Sequence, residues 1–322
     1  MSHHTPVVVF LDRETLPPEI ILPRLDFEHE WRSYDSTTDA EVAGRIAGAD
    51  IVVTNKVRLP AHVIEGADRL KCVAVAATGY DVVDLAACRA RGIVVSNIRN
   101  YAINTVPEHT FALILALRRS LLAYRGSVAR GRWIETNQFS YFDYPVHDLS
   151  GAVLGILGDG VIGQAVAAIG RAFGMIPLYA SYKGVEGMGP LYTPFEEVLR
   201  RADILTLHAP LTPATRNMIG PAEFALMECR PLIINTARGG LVDEEALADA
   251  LESGRIAGAG FDVATVEPPP REHVMMRLLA HDNFILTPHV AWSSREAIQS
   301  LADQLVENIN LFWRGAPRNV VT

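Results

Sequence analysis

Short runs that are apolar on both faces recur along the chain, each followed by a stretch whose apolar residues return every three or four positions. Val7–Leu11, Ile51–Thr54, Val73–Ala77 and Ile93–Ser96 form a first series of predicted strands. A single long helix is then predicted from Thr105 to Arg130. A second series of strands follows: Val153–Leu157, Pro177–Ala180, Ile204–Leu207, Leu232–Asn235, Gly258–Phe261 and Phe284–Leu286. Helical periodicity over Gly163–Phe173, Pro194–Arg201 and Glu244–Ser253 separates several of these strands. Strands buried on both faces and alternating with helices predict an α/β chain with parallel sheets covered on each side. Near the end, Ser293 with Glu296 three residues on reads as a capping box. Ile298, Leu301, Leu305, Ile309 and Phe312 keep helical spacing after it. No internal repeat, low-complexity segment or long linker interrupts the rhythm, so domain boundaries are expected in short crossings inside ordered structure.

Composition narrows the class. A length of 322 residues exceeds what one hydrophobic core usually serves, which predicts two domains. With 49% apolar and 20% charged residues the chain is too apolar for disorder. A net charge of −8 argues against a broad nucleic-acid surface. Cys72, Cys88 and Cys229 are scattered and form no C-x-x-C pair, which fits a reducing cytoplasm. The start, "MSHHTPVVVF", lacks the positive and long apolar regions of a signal peptide. The apolar run Phe111–Leu117 is closed by Arg118 and Arg119 well short of the ~20 residues a membrane span needs. The expectation is a soluble cytoplasmic protein with no membrane or nucleic-acid partner.

"ILGDGVIGQ", Ile156 to Gln164, carries three glycines spaced Gly-x-Gly-x-x-Gly. The spacing alone is a weak signal, but here it follows an apolar strand and opens a helix, as a dinucleotide-binding loop requires. Gly158 permits the tight turn, Gly160 lets backbone approach a pyrophosphate, and Gly163 lets helix and strand pack closely. The helix start at Val161 and Ile162 offers N–H groups and the positive end of a dipole to phosphates. Asp159 is an anion inside this loop, at a variable position where backbone is expected to face the ligand. The fingerprint also wants an acid about 20 residues on, to accept bonds from the ribose hydroxyls. The chain instead has Ser181-Tyr182-Lys183 there. Ser181 and Lys183 tilt the expectation slightly towards NADP(H), with NAD(H) left open.

Three later stretches, "INTARGGLVDEEAL", "GFDVATVEPPP" and "ILTPHVAWSS", run from an apolar strand to Arg238, Glu267 and His289. Ligands of open α/β sheets sit beyond such strand ends. Arginine grips a carboxylate with two parallel bonds, and histidine beside a carboxylate exchanges a proton near neutral pH.

These stretches, with "ATGYDVVDLAACRARGI", "LGILGDGVIGQ" and "LHAPLTPATRNMI", resemble the D-2-hydroxyacid dehydrogenase family over nearly the whole length, most of all its glycerate dehydrogenase (hydroxypyruvate reductase) branch. The resemblance implies two doubly wound α/β domains, a Rossmann coenzyme domain inserted into a flavodoxin-like substrate domain, with the active site in the cleft between them. The expected division is residues 1–99 with 291–322 for the substrate domain and 100–290 for the coenzyme domain. A dimerisation arm over about 105–148 would make the protein a homodimer. His289 is implied as acid/base, Glu267 as its partner and Arg238 as the group that holds the keto acid. Backbone around Thr78 and Gly79 is implied for the substrate carboxylate, and Pro210, Thr236, Ala237 and Asp262 for the nicotinamide end of the coenzyme.

A small unphosphorylated acid such as hydroxypyruvate or glyoxylate is expected, because the loop "IVVTNKV" is apolar up to Thr54. A phosphoglycerate dehydrogenase would need more cations there, and the chain stops at Thr322 without an added regulatory domain. Lys56 is a candidate guide for the substrate carboxylate and Trp292 a candidate pocket wall, each against an ordinary structural role. Structural roles are expected for His109 and His208, and surface positions for His273 and His281. No metal site is expected. The non-enzymatic alternative is a dinucleotide-sensing corepressor, which shares the scaffold. Formate dehydrogenases are a further relative with a different pattern around the histidine, here "PHVAWSS".

Overall fold

A computed structural model describes residues 4–322; Met1–His3, part of the stretch expected to carry no signal peptide, lie outside the described residues. The chain divides into two compact units, Met1–Tyr101 with Ser293–Thr322, and Ala102–Trp292.

The first unit is a five-stranded parallel sheet: β1 (Val7–Phe10), β2 (Glu30–Ser33), β3 (Ile51–Thr54), β4 (Cys72–Val75) and β5 (Val94–Ser96). The strand order is β2-β1-β3-β4-β5. β1, β3 and β4 are buried at every position, as strands covered on both faces must be. β2 has a polar sequence, Glu-Trp-Arg-Ser, and escapes the apolar pattern because an edge strand needs only one partner. Helices α1 (Asp39–Ile46), α2 (Ala61–Glu65) and α3 (Leu85–Ala90) belong to this unit, as does the C-terminal helix Arg295–Trp313. That last helix is capped one residue later than expected: Ser294 Oγ accepts from Ala297 N at 3.1 Å. Glu296 then falls at the second helical position, one short of the third position a capping box requires.

The second unit opens with α4 (Thr105–Arg118), α5 (Leu121–Ala129) and α6 (Arg132–Thr136). The single helix expected to Arg130 is thus two, because Ser120 adopts a left-handed backbone (φ 47°) and its hydroxyl donates to Pro145 O at 2.6 Å. Apolar periodicity runs through such a break without registering it. Seven parallel strands follow: β6 (Val153–Leu157), β7 (Ile176–Ala180), β8 (Tyr192–Thr193), β9 (Ile204–Leu207), β10 (Leu232–Asn235), β11 (Gly258–Phe261) and β12 (Phe284–Leu286). Between them lie α7 (Val161–Ala172), α8 (Phe195–Arg201), α9 (Pro221–Ala225), α10 (Glu244–Glu252) and α11 (Val274–Leu278). The sheet order β12-β11-β10-β9-β6-β7-β8 reverses direction between β6 and β9. That reversal is the switch point of a doubly wound sheet, where a crevice opens beyond the strand ends.

Candidate active site

The glycine loop sits at that switch point. β6 ends at Leu157, whose carbonyl accepts His208 N from the end of β9 at 2.7 Å. A Cβ on Gly158 would lie 2.6 Å from the His208 carbonyl, so the loop can cross β9 this closely only without a side chain. A Cβ on Gly163 would lie 2.0 Å from Gly158 O, which ties the first turn of α7 to the strand. Gly160, the N-cap of α7, faces open space. The loop therefore offers a bare backbone at the start of a 12-residue helix, a surface suited to a pyrophosphate. The Asp159 side chain is engaged by hydroxyls of Tyr182 (3.4 Å) and Tyr192.

Close by in the fold, His208 Nε2 lies 2.9 Å from Thr206 Oγ1, and loss of water pushes the imidazole pKa down to about 4. At the end of β7, Ser181 Oγ accepts Phe195 N at 3.1 Å. Lys183 Nζ lies 2.8 Å from Glu223 Oε1 and donates to Met218 O at 3.1 Å. Both side chains on which the lean to NADP(H) rested thus have partners within the protein.

Beyond β10, buried Asn235 shapes the turn that carries Arg238: its Nδ2 donates to Arg238 O at 2.8 Å and its Oδ1 accepts Ala237 N at 3.0 Å. Arg238 is half-buried and donates one N–H to Ala237 O at 2.7 Å. Thr236 is buried against α4, its hydroxyl 3.0 Å from that of Thr110. Pro210 is exposed just past β9.

Glu267 and His289 follow β11 and β12 and meet at 2.7 Å, Glu267 Oε2 to His289 Nδ1. The other carboxylate oxygen of Glu267 accepts Ala264 N at 2.9 Å, which fixes its direction. His289 has a left-handed backbone (φ 54°), held by bonds from its N to Asp262 O (2.8 Å) and Thr287 O (3.0 Å). A non-glycine residue kept in that region marks a segment whose geometry its surroundings over-determine. The over-determining group is Asp262, which is 1% exposed. Its carboxylate accepts Thr287 Oγ1 (2.5 Å), Val290 N (2.9 Å) and Ala291 N (2.7 Å). Asp262 is thereby spent on the loop carrying His289. His109 of α4 extends this support, with Nε2 3.0 Å from Thr287 Oγ1. Trp292 Nε1 donates to His289 O at 2.8 Å and closes the turn.

In the first unit two loops carry the expected substrate contacts. Asp12, 3% exposed at the end of β1, accepts the backbone N–H groups of Asn55, Lys56 (2.6 Å) and Val57 (3.1 Å), and so shapes the loop that presents Lys56. Thr78 and Gly79 follow β4; Thr78 Oγ1 donates to Ile98 O at 2.9 Å, and Asn97 Nδ2 donates to Thr78 O at 2.8 Å. Asp12, Asn97, Asn235 and the anchoring use of Asp262 were missed in the sequence. Their shared signal is a polar residue at, or within two positions of, the end of a strand rich in apolar residues, where an unpaired buried group would be costly. His273, expected on the surface, instead lies 3.3 Å from buried Glu244 and caps α11.

A model of the NAD binding domain of D-isomer specific 2-hydroxyacid dehydrogenases matches residues 111–291, more than half the chain. The chain belongs to that family. It is 49% identical over 318 residues to a glycerate dehydrogenase of Methylorubrum extorquens, covering 98% of this chain and 99% of that one. Identity to a hydroxypyruvate reductase of Blautia hydrogenotrophica is 37% over 321 residues, covering 98% and 99%. The crystal structure of a Thermus thermophilus protein superposes with a TM-score of 0.86 at 34% identity, covering 98% and 100%.

As a 2-hydroxyacid dehydrogenase the chain is an NAD(P)-binding oxidoreductase, and small 2-keto acids are the substrates its family implies. The open backbone at Gly160 and the long helix behind it fit such a coenzyme. Among the described residues no helix is long and apolar enough to cross a membrane, and no group of three or more His, Cys, Asp or Glu could hold a metal ion.

Proposed function

We propose that this dehydrogenase interconverts hydroxypyruvate, or the related glyoxylate, with the corresponding 2-hydroxy acid, D-glycerate in the first case. The observation that carries the reading is the 2.7 Å pairing of His289 Nδ1 with Glu267, which leaves Nε2 to exchange a proton with substrate. The identity of 49% to a glycerate dehydrogenase supports the choice of substrate. NAD(H) or NADP(H) would be held by Gly158–Gly163, with Pro210, Thr236 and Ala237 towards the nicotinamide. When bound, the coenzyme supplies the hydride for keto reduction and takes it back in the reverse direction.

The chain's own residues do the rest. Protonated His289 gives its Nε2 proton to the keto oxygen as that oxygen gains charge, and Glu267 holds the ring in place through Nδ1. Arg238 directs its remaining guanidinium N–H groups at the acid and stabilises the developing oxyanion. Backbone at Thr78 and Gly79 holds the substrate carboxylate, Lys56 guides it, and Trp292 walls the pocket. Asp262 acts through the 287–291 loop as a positioning residue. In this reading the unit Ala102–Trp292 is the coenzyme domain and the other unit the substrate domain. The apolar residues exposed between 121 and 146 would pair two copies into a homodimer. The unpaired thiols of Cys72, Cys88 and Cys229 fit a reducing cytoplasm.

A panel of hydroxypyruvate, glyoxylate, pyruvate and 3-phosphohydroxypyruvate, run with each coenzyme, tests the reading. The first two should give the highest kcat/KM, and His289→Ala should lower kcat by at least about a hundredfold while leaving NADH affinity intact. Preference for the phosphorylated acid would overturn the substrate assignment. No turnover of any keto acid, with coenzyme still bound, would favour a coenzyme-sensing role.

A further inference from the structure

Asp159 stands between two glycines of the phosphate loop, yet its carboxylate is directed towards the ends of β7 and β8. The Tyr182 hydroxyl donates to Oδ1 at 3.4 Å and the Tyr192 hydroxyl donates to Oδ2 through a short bond. Tyr182 is the second residue beyond β7, the strand end at which dinucleotide folds place an acid to receive the ribose hydroxyls. An acid from the loop is thus within reach of a side chain that leaves this strand end.

Of the groups that would instead welcome a 2′-phosphate, the cation is engaged elsewhere. Ser181 is uncharged, and its Oγ accepts the N–H of Phe195, the first residue of α8. Lys183 is neutralised by Glu223 at 2.8 Å, and Glu223 is itself only 12% exposed and tied to Gly220 N at 3.0 Å. With that pair cancelling, the charge left among these groups is the single negative one of Asp159. A phosphate monoester brings roughly another one and a half to two negative charges.

We propose that Asp159 sets the coenzyme preference of this dehydrogenase, accepting the adenosine ribose hydroxyls and repelling a 2′-phosphate, so that NAD(H) is favoured over NADP(H). The two tyrosines position it. A carboxylate has about four acceptor sites, and one hydroxyl on each oxygen leaves room for the ribose. Its bond to Asp159 pushes the Tyr192 phenol up to about 12, which keeps that hydroxyl a donor throughout the physiological range. The inference rests on the reading of this loop as the coenzyme cradle and reverses the lean towards NADP(H) that Ser181 and Lys183 suggest in the sequence.

Dissociation constants for NADH and NADPH, measured by fluorescence titration without substrate at low and high salt, test it. Wild type should bind NADH about tenfold or more tighter than NADPH, and added salt should narrow that gap as like charges are screened. Asp159→Asn should shrink the ratio by about tenfold, mainly through tighter NADPH, and remove much of its salt dependence. Tyr192→Phe keeps the charge but removes one of the two bonds that position it, and should narrow the gap less than Asp159→Asn does. Equal affinities in wild type, a wild-type ratio indifferent to salt, or an unchanged ratio in Asp159→Asn would each overturn the proposal. Failure of wild type to bind either coenzyme would overturn it together with the cradle reading. A chain that shows the expected ratios but turns over no keto acid would support the proposal while the substrate assignment fails.

Discussion

His208 shows what one residue takes from its surroundings. It leaves β9 through a backbone bond to Leu157, and burial strips water from its imidazole and pushes the pKa down to about 4. The unfolded chain binds that proton near pH 6.5. Between about pH 6.5 and 4 the unfolded state therefore holds more protons than the folded one, and this histidine's contribution to stability falls as the pH falls. Above pH 6.5 both states are neutral and the contribution is constant. His208→Gln should flatten the acid limb of a melting-temperature profile, recovering about 1–2 kcal/mol near pH 4.5, or about 3 °C in a unit of this size. An acid limb identical to wild type would show that His208 does not carry the effect. At this scale the sequence names the chemical group but not its state: "LHAP" contains a histidine, and only its burial in the folded unit makes it hard to charge.

Among the elements, the strand–loop–helix of β6 and α7 is the most legible, because apolar run, glycine spacing and amphipathic period agree. Its tolerance is narrow. Gly163→Ala would drive a methyl group onto Gly158 O, a backbone atom that cannot move without opening the loop. We expect a loss of about 1–3 kcal/mol in stability, read by thermal melting, and at least about tenfold in NADH affinity, read by titration. Wild-type affinity in that variant would mean that the loop does not hold the coenzyme. Elements defined by single-residue backbone choices were less legible. The left-handed Ser120 splits the helix after Arg118 while apolar spacing continues past it. The polar edge strand β2 and the two-residue β8 lack the burial on both faces by which the other strands are recognised. The cap at Ser294 lies beside another serine, and spacing to one glutamate could not choose between them.

For the whole molecule, the segment after α4 is the conspicuous surface. Ile134, Phe139 and Phe142 are 85%, 97% and 86% exposed, and Leu121, Leu122 and Trp133 add to the same segment. These side chains are the ones the proposed homodimer would cover. Light scattering of the wild type should give twice the chain mass, and Ile134→Glu with Phe139→Ser should reduce it to one. A monomeric wild type at micromolar concentration would remove the arm from the account. By itself the sequence determined the α/β class, the glycine loop and the residues able to do acid–base chemistry, since burial on both strand faces and residue type are local properties. Tertiary structure decided how groups meet: the 2.7 Å distance at which the expected partner Glu267 reaches His289, the use of Asp262 in shaping the loop that carries His289, and the contact of Asp159 with the Tyr182 hydroxyl. Those facts depend on strands distant in sequence ending side by side, and no local pattern encodes such a meeting.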